Sequence, residues 1–232
     1  MVLIEDFIRT GRRNRPGRPN PCNFITIHTT GNRNATADAL AHARYLHGDT
    51  AANIPVSWHY TTDNLRAVQH LPDNEDAFHA GDGSGPGNRQ SIGIEICVNN
   101  RNWFRDACVL TANLTAELLN RHNLTINDIR QHHDWSRKNC PAELRSGEWG
   151  ITWDDFLNMV SSHLESEDKQ MRINSVSDAP EWARPFLQNL VSRNILRGDE
   201  QGRLNVTEDM IRGWMINERM MLDMLRTNGV LR

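Results

Sequence analysis

The stretch SIGIEICV, residues 91–98, decides how the chain is built. It reads as a buried strand whose alternation puts Ile92, Ile94 and Ile96 on one face and Gly93, Glu95 and Cys97 on the other. A carboxylate inside so apolar a strand costs free energy unless it is paired or used. A second buried strand is expected upstream, where NFITIHT at 23–29 is β-branched and aromatic and runs into the turn residues Gly31 and Asn32. Ser57–Thr61 and Leu65–His70 read as a hairpin turning at Asp63-Asn64, and Ile129–His132 as a short strand. Helices are expected over Thr36–His47, with Thr36 as cap and Ala39, Leu40, Ala43 and Leu46 as the apolar set, over Thr111–His122, and over Trp153–Leu164. Strands and helices interleaved in this way predict one α/β (α+β) layer domain over residues 1–165.

The whole chain has 232 residues, 38% hydrophobic and 24% charged, which fits one or two globular domains and excludes a disordered chain. No apolar run approaches the roughly 18 residues of a membrane span, so no membrane insertion is expected. Glu5 and Asp6 interrupt the N-terminal apolar stretch, so no secretory signal is expected either. A net charge of -3 argues against a general nucleic-acid binder. The four cysteines, at 22, 97, 108 and 140, show no CxxC spacing and are expected as reduced thiols. Five arginines between 9 and 18, broken by Gly and Pro, read as a solvated lead-in loop, or else as a patch for an anionic polymer.

Residues 166–177 are polar and weakly patterned and read as a linker to a second unit over 178–232. There Asp178 is expected to cap a helix running to about Asn194. Thr207 is expected to cap a longer one carrying Met210, Ile211, Trp214, Met215, Met221, Leu222 and Leu225. Two helices make a marginal core. Five methionines between 210 and 224 suit loose packing, or a face through which the C-terminal helices form a homo-oligomer.

The chemistry concentrates in QHHDWSRKNCP, residues 131–141, which holds His132, His133, Lys138 and Cys140. Lys138 is one of only two lysines among 26 basic residues, so a lysine is a rare choice in this chain. Together with His28, at the end of a buried strand, one of these histidines and Cys140 form a ligand set that suits Zn²⁺. Three protein ligands leave a fourth position open for chemistry. By spacing alone, two adjacent histidines and a lone cysteine are equally a coincidence, and either histidine fits. Glu95 is likewise open between a buried ion pair with an arginine and a general base acting on water.

Several segments in order, NRPGRPNPCNFITIHTTGN, AHARYL, VSWHYTTD, QHLPDNEDAFHAGDGSGPGNRQSIGIEICVN and QHHDWSRKNCP, resemble one family. It is the N-acetylmuramoyl-L-alanine amidases of the type shared by phage endolysins, Bacillus and Clostridium autolysins and peptidoglycan recognition proteins. The resemblance covers residues 13–160. It implies a mixed central sheet flanked by helices, plus the small C-terminal helical domain. It implies zinc ligands at His28, His132 and Cys140, the family placing its second histidine eight positions before the cysteine. It implies Glu95 as the catalytic glutamate, Lys138 as a catalytic-site lysine, and a substrate cleft lined by His79 with Trp58 or Tyr60. Arg137 stands where the family usually has glycine, which would narrow or charge the cleft rim, and Phe78 where tryptophan is more common. The four glycines between 80 and 90 would let the backbone approach a glycan or stem peptide closely.

The implied activity is zinc-dependent hydrolysis of the amide joining N-acetylmuramic acid to L-alanine in bacterial peptidoglycan. Lacking a signal peptide, such a chain suits a phage or prophage endolysin that collects in the host cytoplasm, reaches the cell wall after release and lyses the host. The alternative is a non-catalytic peptidoglycan-binding recognition module on the same fold. Those modules usually lack the ligand cysteine, so Cys140, with Glu95 and Lys138, favours an enzyme. A recycling amidase acting on soluble muropeptides fits poorly with an appended C-terminal unit. That unit, DAPEWARPFLQNLVSRNILRGDEQGRLNVTED, resembles an S-layer-homology half-motif, which implies wall attachment or oligomerisation. Its segment GDEQGRLNVTED lacks the Asp/Asn alternation of a calcium loop.

Overall fold

The computed structural model describes residues 1–169, 173–208, 210–215 and 218. The chain divides into two compact units, Met1–Leu164 and Glu165–Arg232. The first is built on one sheet of six strands: β1 (Val2–Glu5), β2 (Phe24–Thr29), β3 (Tyr60–Thr62), β4 (Arg66–Gln69), β5 (Ser91–Ile96) and β6 (Ile129–Gln131). Their order is β1-β4-β3-β5-β2-β6. Only β3 and β4 run antiparallel, joined by the Asp63-Asn64 turn, and every other pair is parallel. Among the described residues the helices are α1 (Ala39–His47), α2 (Asp49–Ala52), α3 (Pro86–Arg89), α4 (Phe104–Arg121), α5 (His132–Ser136), α6 (Ala142–Ser146), α7 (Trp153–Lys169) and, in the second unit, α8 (Arg184–Ser192), with residues 210–215 helical as well.

The alternation of β5 separates two layers. Ile92, Ile94 and Ile96 join Ile25 and Ile27 of β2 and Tyr60 of β3 under Phe104, Leu114 and Leu118 of α4 and Phe156 and Val160 of α7. Each buried isoleucine contributes on the order of 1.5–3 kcal/mol. On the other face Cys97 and Val68 pack beneath Ala39 and Ala43 of α1. Beside them, Ile8, Leu46, Trp58 and Leu71 form a smaller cluster. The rest of that second face, over β2 and β5, carries His28 and Glu95.

Several expectations shift. Asp38, not Thr36, caps α1: its Oδ1 accepts from the Ala41 N–H at 2.7 Å, while Thr36 Oγ1 turns back to Asn34. Helix α4 starts at Phe104, ahead of Thr111, because Phe104, Ala107 and Cys108 continue the buried stripe. The arginine-rich lead-in is a loop as expected, with Arg9 and Arg13 exposed, but it is pinned rather than free along its length. Val2–Glu5 is a strand, Ile8 and Asn14 are buried, and Arg15 forms a two-pronged ion pair with Glu75 at 2.8 and 2.6 Å. Arg18 pairs with buried Asp76 at 2.8 Å.

The second unit has its own core of Ile173, Ala179, Ala183, Leu187, Val206 and Ile211. Helix α7 continues through Lys169, into the stretch read as linker, and Ile173 bridges to Val206. Ser175 and Asp178 cap each other across a short 3₁₀ turn, so the next helix begins at Arg184, with Pro185 in its first turn, rather than at Asp178. Asp199 accepts from the Gln201 and Arg203 N–H groups and from the Arg203 guanidinium, so a cationic side chain already occupies this loop. The expected Met221, Leu222 and Leu225 lie outside the described residues.

Asp73 ties the sheet to the end of α4. Tyr60 Oη and Gln69 Nε2 donate to its Oδ1 at 2.5 and 3.1 Å, and Arg121 Nη1 and His122 Nε2 reach its Oδ2 at 3.0 Å each. Burial pushes the carboxyl pKa up, but these donors outweigh it and hold it below 3.8. A lowered folded-state pKa contributes stability that is complete above the unfolded value and lost as pH falls through the folded one. Asp73→Asn is therefore expected to cost about 2 kcal/mol at pH 7. Urea unfolding at descending pH should show that difference shrinking below pH ~4.

Candidate metal centre and active site

Strand β2 ends His-Thr, and parallel pairing with β5 sets His28 directly beside Glu95. Helix α5 begins at His132, immediately after β6. Cys140 sits on the turn between α5 and α6, and its carbonyl accepts the His133 N–H at 3.0 Å, which closes that turn. His132 is buried at 5% exposure while His133 is half-buried, so of the two adjacent histidines the fold brings His132 inward. His28 is 1% and Cys140 5% exposed.

One atom from each of these three residues lies within 4.8 Å of the others. His28 Nδ1 is 3.0 Å from His132 Nδ1 and 3.8 Å from Cys140 Sγ. Burial first, and then neighbouring positive groups including Lys138, pushes His28 well below the usual imidazole value and His132 down to about 4. Both rings are neutral at neutral pH, which is the form that ligates. Burial, with the Glu95 charge adding to it, pushes the Cys140 thiol up to about 12. Facing imidazole lone pairs and a buried thiol are a costly arrangement alone. A soft or borderline cation at the centre relieves both, converting the thiol to thiolate.

Glu95 lines the same cluster, with Oε1 4.0 Å from His28 Nδ1 and a side chain 16% exposed. Its Oε2 is buried without a partner, and among the described residues no arginine pairs with it. Burial raises its pKa to about 7, opposed by the charge of Lys138. A carboxylate poised there exchanges protons readily at neutral pH. Lys138 is exposed and acts on the cluster through its charge.

Other expected residues are placed differently. Tyr60 is fully buried on the α4 face of the sheet, donating to Asp73, so it does not reach the cluster. Its neighbour Thr61 holds the register position beside Glu95 instead. Trp58 is 7% exposed, donates through Nε1 to Thr61 Oγ1 at 2.6 Å and stacks on Tyr45. With Thr30, Asn32 and His42 it borders a cavity of about 260 Å³. His79 turns inward, with Nδ1 2.9 Å from His28 Nε2. Phe78 lies under the Arg18 guanidinium at 5.4 Å. Arg137 occupies a left-handed backbone position, φ 64°, at the end of α5. That conformation favours glycine, and arginine there costs on the order of 1 kcal/mol.

The glycine-rich loop is shaped by two residues that spacing alone did not single out. Asn88 Oδ1 accepts the N–H groups of His79 and Ala80 at 2.8 and 2.7 Å, and Asp82 accepts those of Gly87 and Asn88. A Cβ on Gly87 would fall 2.5 Å from Ala80 Cβ and 2.7 Å from Trp135 Cγ. Gly87 thus serves the loop's own packing against α5 rather than approach by a glycan. The loop after β2 is tied down by Arg33, which pairs with buried Glu143 of α6 at 3.0 Å and with Glu148, and lies over Trp149 at 4.9 Å.

Residues 18–143 match the family model described as N-acetylmuramoyl-L-alanine amidase. XlyA of Bacillus subtilis (strain 168), named an N-acetylmuramoyl-L-alanine amidase, is 44% identical over 154 residues, 66% of this chain and 49% of that one. CwlH of the same organism, with the same activity in its name, is 41% identical over 164 residues, 70% of this chain and 62% of that one. This chain therefore spans 49% and 62% of the length of these two relatives. The solved structure of the catalytic domain of XlyA superposes with a TM-score of 0.63 at 42% identity, covering 69% of this chain and 99% of that domain. The structure of PlyL follows at 0.62 and 28%, covering 70% and 99%. By the match to the family model across more than half its length, the chain belongs to the N-acetylmuramoyl-L-alanine amidase family.

Proposed function

We propose that this protein is a zinc-dependent N-acetylmuramoyl-L-alanine amidase of the endolysin type. It cleaves the amide between N-acetylmuramic acid and L-alanine in bacterial peptidoglycan. The observation that carries the reading is the convergence of one ligand atom each from His28, His132 and Cys140, within 4.8 Å of one another, beside Glu95. Two neutral imidazoles and one thiolate form a borderline donor set that suits tetrahedral Zn²⁺ with one position left open. When bound, Zn²⁺ supplies Lewis acidity toward water and toward the scissile carbonyl.

The chain's own residues do the rest. Glu95, raised toward neutrality by burial, accepts a proton from the attacking water and returns it to the departing amine of L-alanine. Lys138 presents a compact positive charge to the oxyanion that develops on the carbonyl. The groove bordered by Trp58, Tyr45 and Thr30 suits the wall polymer's sugar or peptide. The second unit attaches the protein to the wall or to another copy, and the endolysin reading places synthesis in a host cytoplasm and action after release.

Purified Gram-positive peptidoglycan digested with the protein should release stem peptides with unblocked L-alanine and glycan strands with intact lactyl groups, read by mass spectrometry. Binding without cleavage by zinc-replete protein would move the assignment to a recognition module. Cys140→Ala should weaken zinc binding by more than the about 10–100-fold that loss of an outer hydrogen-bond partner costs. Unchanged zinc stoichiometry and affinity would remove Cys140 from the ligand set. Glu95→Gln should retain zinc and lose about 10²–10⁴-fold in turnover, and near-normal turnover would take Glu95 out of the mechanism.

A further inference from the structure

His79 is a buried imidazole that the chemistry above leaves without a task. Its Nδ1 meets His28 Nε2 at 2.9 Å, on the side of the His28 ring away from the ligand cluster. The direction of that hydrogen bond follows from what lies beyond His79. His79 Nε2 faces Ser91, at a long 3.5 Å from the hydroxyl and beside the backbone carbonyl. The carbonyl can only accept. The hydroxyl has its hydrogen committed to the Gly87 carbonyl at 2.7 Å. It also meets Thr26 Oγ1 at 2.7 Å, and Thr26 already accepts the Trp135 indole N–H at 2.9 Å. The polar chain therefore runs one way: Trp135 donates to Thr26, Thr26 to Ser91, and Ser91 to Gly87. Toward His79, Ser91 is an acceptor. His79 then carries its hydrogen on Nε2 and a lone pair on Nδ1, and His28 Nε2 is the donor.

We infer that His79 is a positioning residue, which holds His28 as the Nε2–H tautomer and so turns the Nδ1 lone pair toward the ligand cluster. The inference rests on the reading of His28 as a metal ligand. A ligating histidine oriented through its far nitrogen is more basic and better aimed than one left to choose its tautomer.

The strand geometry is built around this ring. A Cβ on Gly93 would lie 2.7–2.9 Å from three atoms of the His79 imidazole, so the absent side chain is what admits it. Gly93 also donates its N–H to His59 Nδ1 at 2.9 Å, and the His59 ring stands edge-on to His79 at 5.9 Å. His59 is pinned in turn through its Nε2 to the Glu75 carbonyl at 2.8 Å. The ring of His79 is thus held from the strand beneath it and from its flank.

The test uses the full chain. In the zinc-free wild type, ¹⁵N-imidazole NMR should show His28 and His79 both as Nε2–H tautomers; an Nδ1–H tautomer at His28 would overturn the inference without any variant. Zinc affinity, measured by competition with a chromophoric chelator, should fall about 10–100-fold in His79→Leu. It should recover most of that loss in His79→Asn, whose Oδ1 stands where Nδ1 stood. Wild-type affinity in His79→Leu, or an equal loss in both variants, would reduce His79 to packing and overturn the role. A wild-type chain that binds no zinc would instead overturn the metal reading on which the role depends.

Discussion

The parallel register of β2 and β5 is the constraint from which the rest of the catalytic unit follows. It pairs His28 with Glu95 and Thr26 with Gly93, so ligand, carboxylate, polar chain and the gap for His79 all arise from one alignment of two strands. A slip of one residue would turn Ile27 or Ile94 toward the cluster and drive His28 or Glu95 beneath α4. The isoleucines prevent it, since each contributes on the order of 1.5–3 kcal/mol only on the face it now occupies. The apolar layer under α4 and α7 therefore determines where the polar chemistry stands on the opposite side of the same strands.

The buried carboxylates of the first unit divide into those paired with cationic groups and one that is not. Asp73 receives four donors and Asp76 two guanidinium groups, from Arg18 and Arg89. These carboxylates stitch segments together. In the cluster, by contrast, Glu95 faces only the neutral His28 ring, at 4.0 Å, and its Oε2 is buried without a hydrogen bond. A buried carboxylate oxygen without a donor is destabilising, and Asp76 Oδ1 and Glu143 Oε2 share that state, but their other oxygens are paired with arginine. Pairing with arginine, rather than the satisfaction of every oxygen, separates these structural carboxylates from Glu95, the one the proposed mechanism uses.

Much of this was readable in the residues. The alternation of SIGIEICV marks both faces of the sheet, and His28, His132, Cys140 and Glu95 come together as their motifs imply. What was not readable depends on partners distant in sequence. The lead-in arginines look solvated until Glu75 and Asp76 arrive beside them from the other side of two strands. Tyr60 and Trp58 share one short motif, yet Tyr60 opens β3 and enters the α4 core, while Trp58, ahead of the strand and outside its alternation, borders a groove. Asp38 takes the cap from Thr36 because an Asn at 34 engages the threonine hydroxyl first. The tautomer chain through Ser91 and Thr26 joins hydroxyls 65 residues apart, and no local pattern encodes it.

Gly87 and Trp135 meet across a gap too small for a methyl group, and the same indole holds Thr26 through its N–H. In evolutionary terms the contact couples positions 80, 87 and 135. A side chain at 87 requires room at Trp135 and also at Ala80, whose Cβ would lie nearer still at 2.5 Å. A smaller ring at 135, with 87 still glycine, leaves a void and removes the donor that Thr26 accepts, two residues before His28. Divergence at this contact then favours coordinated changes, and a lineage that alters one position alone loosens the seat of His28, which it never touched.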